Sequence, residues 1–240
     1  GLGAGLFRKE GTPFSFIHRI RVSLQRKSSD RRSSAAFMPQ TDSILIATRN
    51  PGKVREIAAM LGRQGIAAIT LADLPTIPDV DETGTTFLEN AAKKAVEYAA
   101  AAGMYSLADD SGLEVSALGG RPGVLSARYA GESADYGIKI RTLLAELAEA
   151  GSSDRSARFV CSMAFADPAG EIIWTAEGIC EGELAASPSG TNGFGYDPIF
   201  IPTGFVKTFG ELDDAVKRSI SHRARATDAF MRFFLDFIGV

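Results

Sequence analysis

Cysteine and histidine are scarce in this sequence, with two of each in 240 residues. Cys161 and Cys180 show no paired metal-type spacing, which excludes a disulfide framework and a zinc cluster and suits a reducing compartment. His18 and His222 alone cannot build a His-rich metal site. No apolar run approaches the ~20 residues of a membrane-spanning helix, so no membrane partner and a cytoplasmic location are expected. Positive charge is also scarce outside the N-terminus. Residues 1–38 hold eight Lys and Arg against Glu10 and Asp30; with 26 basic and 29 acidic residues in all, 18 and 27 remain for 39–240. So acidic a body argues against nucleic acid as a partner. The Arg- and Ser-rich stretch before Met38 fits a targeting segment, a basic arm or upstream sequence read through from before a start at Met38. The last is the expectation, with disorder over 1–38.

Hydrophobic content of 45 % and charged content of 23 % are those of an ordinary globular protein. SILIAT (43–48) is an apolar run of strand length. Beyond RNPGK, Val54, Ile57, Ala58 and Leu61 recur at helical spacing, so the chain opens as strand–loop–helix, the start of an α/β unit. A short strand is expected at 66–70 and a loop at 71–84. An Ala-rich helix follows over 85–103, supported by a Glu89–Lys93 pair in the favourable order and stopped at Gly103. After a glycine-rich loop at 118–131, a helix is expected over 138–149. Strands are expected at 157–166 and 171–180 around a DPAG turn, then a loop at 187–198. A last helix from about 221, capped by Ser219 or Ser221, carries Ala226, Phe230, Phe233, Phe234 and Phe237 on one face. Without internal repeats or an evident linker, 39–240 reads as one α/β domain.

Several stretches could carry chemistry. TRNPGK (48–53) brings a helix N-terminus, a glycine and Lys53 to one turn, an arrangement suited to an anion. It lacks the first glycine and the Ser/Thr of a Walker A loop, which weakens a kinase-like reading; an ordinary β–α turn is the alternative. In LADDSGLEV (107–115), Asp109 and Asp110 stand side by side where a buried strand meets a Ser-Gly turn signal, either as a polar strand cap or as a metal site. Asp81 and Glu82 read singly as acids at a helix start. Joined to Asp109, Asp110 and Ser111, they make an oxygen-rich set suited to Mg²⁺. Phe194 in TNGFGYDP offers a ring on which a base could stack, or closes over the core. Lys217, Arg218, His222 and Arg223 cluster before and into the last helix, as phosphate or carbonyl donors or as a solvated basic face. Adjacent Ser221 and His222 cannot easily form a Ser-His-Asp relay.

Taken in order, ATRNPGKVREI, ETGTTFLENAAKKA, ADDSGLEV, LGGRPGVLSARYAG, NGFGYDPIF and KRSISHRARA resemble the inosine triphosphate pyrophosphatase family over about residues 43–228. The resemblance implies a long mixed β-sheet flanked by helices in two lobes, with a nucleotide cleft between them, and a homodimer. It also implies Mg²⁺-dependent hydrolysis of ITP, dITP or XTP to the monophosphate and pyrophosphate. By motif, Thr48, Arg49, Asn50, Pro51, Gly52 and Lys53 form the triphosphate loop, and Ser111 is a substrate contact. Asp110 is the proton acceptor and a metal ligand; Asp81 is a second metal ligand, with Glu82 in its place if the register slips. Phe194, Gly195, Tyr196, Asp197, Lys217, His222 and Arg223 complete the nucleotide site. Two departures stand out. Arg49 occupies a position where the family usually has glycine, so either the backbone differs or its side chain joins the phosphates. Asp81 replaces the usual Glu. A Maf-like pyrophosphatase with another base preference and a non-catalytic nucleotide-binding module are the alternative functions.

Overall fold

The computed structural model describes residues 43–239; the expectations for 1–38 lie outside them. The strands are β1 (Ser43–Ile46), β2 (Ala67–Thr70), β3 (Ser106–Val115), β4 (Ser156–Ala166), β5 (Ile172–Leu184) and β6 (Phe200–Pro202). The helices are α1 (Pro51–Gly62), α2 (Phe87–Ala102), α3 (Tyr136–Glu149), α4 (Asp214–Ile220) and α5 (His222–Ile238). One mixed sheet has the order β2-β1-β3-β4-β5-β6. β1 runs parallel to β2 and β3, and the other neighbours are antiparallel. The sequence had suggested neither β6 nor α4. Both are shorter than the windows in which hydrophobic periodicity becomes visible.

Local chemistry explains the helix starts. Asn50 caps α1 by accepting from the Gly52 and Lys53 N–H groups, with Pro51 at the first helical position, where its missing N–H costs nothing. Thr86 and Glu89 form a reciprocal capping box for α2. Glu89 is therefore committed to the helix start and does not pair with Lys93 as expected. Lys93 reaches instead to the Asp81 carbonyl and Glu97. Ser221, not Ser219, caps α5.

Three apolar clusters sort the molecule into two lobes. On one face of the sheet, α1 and α5 bury Ile57, Ala226, Phe230 and Phe234 against Ile44, Ile46 and Phe165. On the other, α2 lays Ala91, Ala95 and Ala99 against Ala108, Ala164 and Ala166, small residues on both sides that allow close helix–sheet approach. The far ends of β3, β4 and β5 carry the third cluster, in which Leu113, Phe159 and Phe200 pack with Ile140 and Leu143 of α3. Each buried Phe or Leu contributes about 1.5–3 kcal/mol. Among the described residues no helix is long and apolar enough to cross a membrane.

Candidate functional site

The site begins as a gap in the sheet. β1 pairs with β3 only through Leu45–Ser106 and Ile46–Leu107. Farther along, the same edge of β3 is covered again, because Leu113 N–H donates to Ser126 Oγ at 2.9 Å and Val115 N–H to the Arg121 carbonyl at 3.2 Å. Between these seals, residues 109–112 open into a cleft beyond the carboxyl end of β1, where the chain departs to β2 on one side and β3 on the other. Open α/β sheets bind ligands at such switch points. Gly112 closes the far seal: a Cβ there would stand 2.4 Å from Ser126 Oγ and 2.5 Å from the Gly123 carbonyl.

Asp109 and Asp110 lie inside one continuous strand, not at its mouth beside a turn. Successive side chains of a strand point to opposite faces, so the neighbouring charges diverge. Asp109 faces α1 and α5. Its Oδ2 lies 3.1 Å from Lys53 Nζ and 3.2 Å from Arg223 Nε. Arg223, with 2 % of its surface exposed, also donates to Glu56 and, at 2.8 Å, to Ser111 Oγ. Lys217 Nζ bridges Glu56 at 2.9 Å and Asp197 at 2.6 Å. Lys53, Arg223 and Lys217 thus balance Asp109, Glu56 and Asp197. Burial by itself would raise the Asp109 carboxyl, but Lys53 and Arg223 hold it well below the usual carboxylate range. The same balance keeps Glu56 low against its burial.

Asp110 faces α2. Its Oδ2 accepts from Asn90 Nδ2 at 3.0 Å, and its Oδ1 lies 3.6 Å from Lys94 Nζ. Lys94 in turn donates to Glu82 Oε1 at 2.5 Å. Here two carboxylates share one ammonium, leaving one negative charge over. Burial pushes Asp110 above its ordinary pKa, with Lys94 and Lys53 opposing. The register of the DETG stretch differs from the expected one. Asp81 is solvent-exposed and does not line the cleft, and the acid beside Asp110 is Glu82. The loop is extended, so one residue of shift exchanges inside for outside. Among the described residues no three His, Cys, Asp or Glu side chains converge as a ready-made metal cage.

Across the gap stands the start of α1. Thr48 Oγ1 accepts from Asn50 N–H, and the Asn50 side chain occupies the first free N–H groups of the helix. Gly52 does not face the cleft. A Cβ on it would meet the Phe194 ring at 2.7 Å, so its missing side chain makes room for an aromatic, not for an anion as expected. Phe194 also stacks under Lys217 Nζ, 4.4 Å from its centroid. Pro51 lies outside the cleft. Arg49 keeps an ordinary negative φ and turns aside, donating to Asp79 and to the Ile77 carbonyl at 2.7 Å. Asp197 organises its own loop by accepting from Phe194 N–H at 2.7 Å; Gly195 lines the cleft, and the Tyr196 hydroxyl donates to the Ser126 carbonyl at 3.0 Å. The His222 ring stacks on Phe159 at 4.7 Å. Its Nδ1 is buried with no hydrogen-bond partner among the described residues. Burial and then Arg223 keep this ring neutral, with its pKa well below 6.5.

The cleft measures about 310 Å³ and is lined by Thr48, Arg49, Asn50, Lys53, Glu82, Asp110, Ser111, Phe194, Gly195, Tyr196, Asp197, Lys217, His222 and Arg223 among others. It brings together the residues expected from the sequence except Pro51, Gly52, Asp81, Asp109, which is paired behind it, and Arg218, which pairs with Asp214 at the surface. Sequence reasoning missed Glu56, Asn90 and Lys94. A signal existed for two of them: Asn90 and Lys94 interrupt the apolar stripe of α2 at i, i+4 spacing, where a polar residue needs a partner.

Fold and cleft together define an α/β protein with a charge-balanced network on one side of a strand switch point and surplus carboxylate on the other. The chain belongs to the Ham1 family, whose model matches residues 44–233. It is 48 % identical over 186 residues to a protein named dITP/XTP pyrophosphatase from Oceanobacillus iheyensis, covering 77 % of this chain and 94 % of that one. It is 50 % identical over 183 residues to one of the same name from an Exiguobacterium species, covering 76 % and 92 %. The solved structure of a HAM1 protein from Coxiella burnetii superposes with a TM-score of 0.75 at 40 % identity, covering 81 % of this chain and 98 % of that one.

Proposed function

We propose that the cleft hydrolyses non-canonical purine nucleoside triphosphates (ITP, dITP and XTP) to the monophosphate and pyrophosphate. The observation that carries this reading is Asp110. It is a buried carboxylate with a raised pKa, held between Asn90 and Lys94 and lining the same cleft as Lys53. The names of the relatives support the substrate class. Asp110 accepts a proton from a water whose oxygen bonds to the α-phosphorus. The bond from that phosphorus to the oxygen bridging to the β-phosphate breaks in line, and pyrophosphate departs with its electron pair. Lys53 and Lys217 neutralise the phosphate charge, exchanging part of their pairing with Asp109 and Asp197 for phosphate oxygens. His222, in the tautomer with hydrogen on Nδ1, donates to the 6-oxo group of the base. An adenine amino group there meets a donor and leaves both unpaired. Phe194 supplies the apolar face for the base.

The donor set fits Mg²⁺, which takes one or two carboxylates and completes its shell with water and phosphate oxygens. Glu82 and Asp110 would hold it, the surplus negative charge beside Lys94 favouring a cation. When bound, the ion neutralises charge on the phosphate oxygens. A homodimer acting in the cytoplasm belongs to the same proposal, in keeping with two cysteines that are both free and buried.

Incubation with ITP and Mg²⁺, with products resolved by ion exchange, tests the assignment. IMP and pyrophosphate are expected. IDP and phosphate would place the attack elsewhere, and preferred turnover of dTTP or UTP would indicate a Maf-like base preference.

A further inference from the structure

The segment Gly123–Arg128, which seals the far edge of β3, is tied to β3, the aromatic loop, α3 and the Glu82 loop. Its Ser126 hydroxyl accepts from Leu113 N–H at 2.9 Å and donates to the Gly123 carbonyl at 2.6 Å. The Ser126 carbonyl accepts from Tyr196 of the aromatic loop at 3.0 Å. The next carbonyl, that of Ala127, accepts from Lys139 Nζ of α3 at 2.6 Å; Lys139 is 4 % exposed, and its ammonium lies 4.9 Å from the Tyr136 ring centroid. A buried lysine committed to one carbonyl gives the segment a rigid anchor, since an unmade bond there would leave a buried charge without its acceptor.

From this anchor Arg128 Nη2 donates to the Glu82 carbonyl at 3.1 Å. Glu82 lies in an extended loop with no sheet or helix bonds of its own. Among the described residues its carboxylate is held only from the α2 side, by Lys94, while Lys93 holds the preceding Asp81 carbonyl at 2.6 Å. The contact from Arg128 is thus the one described bond that ties the Glu82 residue itself to the opposite lobe.

We propose that Arg128 is a positioning residue for Glu82. Through it, the sealed 123–128 segment sets where the second carboxylate of the cleft stands relative to Asp110, and links that placement to the aromatic loop held by Tyr196. The inference rests on the function proposed above, with Glu82 as one of two carboxylates facing a divalent cation. Partners that orient the ligands of a metal typically change affinity or activity by about 10–100-fold when removed.

The test compares wild type with Arg128→Met and Arg128→Lys. Mn²⁺ is titrated in the presence of a non-hydrolysable α,β-imido ITP analogue, and free Mn²⁺ is read by electron paramagnetic resonance. R128M is expected to weaken Mn²⁺ binding about tenfold and to lower kcat on ITP by a similar factor. KM for ITP at saturating metal should stay within about twofold of wild type. R128K keeps a donor for the carbonyl and is expected to recover most of both. Arg128 is only partly buried, so thermal melts of both variants should stay close to wild type. Mn²⁺ affinity unchanged in R128M, or equal losses in R128M and R128K, would overturn the proposal. Wild-type protein that fails to turn over ITP would instead count against the functional reading.

Discussion

Replacing Arg223 by methionine tests the charge balance on the α5 face. The guanidinium is fully buried and contacts Asp109, Glu56 and Ser111. Methionine fills comparable volume without charge, so the main effect is electrostatic. The balanced set of Lys53, Arg223 and Lys217 against Asp109, Glu56 and Asp197 becomes one positive charge short. Breaking a buried pair by removing one partner costs about 3–5 kcal/mol. At about 2–4 °C per kcal/mol for a domain of this size, the melting temperature at pH 7 should fall by roughly 6–20 °C. The deficit should depend on pH in a defined direction. In wild type the Asp109 and Glu56 pKa values are depressed from ordinary values of 3.8 and 4.5. Their contribution to stability is present above those values and is lost as pH falls through the folded pKa values. Without Arg223 the folded pKa values rise toward or past the unfolded ones. The R223M deficit is therefore largest near neutrality and shrinks below about pH 4. Removing Asp109 as well (R223M/D109N) restores the balance and should recover stability relative to R223M, with coupling of about 1–3 kcal/mol. Thermal melts across pH 3–8 measure all of this. A shift under about 2 °C for R223M, or strictly additive effects in the double variant, would refute the reasoning.

Asp110→Asn should reduce ITP turnover by about 10²–10⁴-fold without lowering the melting temperature, because the fold already disfavours the charged form of Asp110. Gly52→Ala drives a methyl into the Phe194 ring and should cost about 1–3 kcal/mol; chemical denaturation of G52A/F194A, which removes the ring, should show the added methyl to be nearly free. His222 is held neutral in the fold, so below pH 6.5 only the unfolded chain takes up its proton. Stability should then drop by about 1.4 kcal/mol for each pH unit. An H222N variant that kept the full slope in pH-dependent denaturation would remove His222 as its source.

The strand–loop–helix opening, the α2 helix with its stop before Gly103, the β4–β5 hairpin and the phenylalanine face of α5 were all legible because each follows from a local period or cap. The motifs also named most of the cleft, since Asp110, Lys53, Phe194 and His222 lie in stretches whose composition is unusual for their surroundings. Asp81 was misassigned for a physical reason: in an extended loop without a fixed period, nothing local distinguishes the inward residue from its neighbour. The role of Gly52 was equally hidden, because the ring that needs its missing Cβ comes from a residue 142 positions later.

The sequence by itself determined the longer elements, the acidic body and the set of chemical groups available. Tertiary structure alone decided their pairing. Asp109 and Asp110 are adjacent in the chain, yet the pleat of β3 sends one to a balanced buried network and the other to a cleft with negative charge to spare. That division depends on α1 and α5 packing against one face and α2 against the other, contacts between residues far apart in the chain that no local pattern encodes.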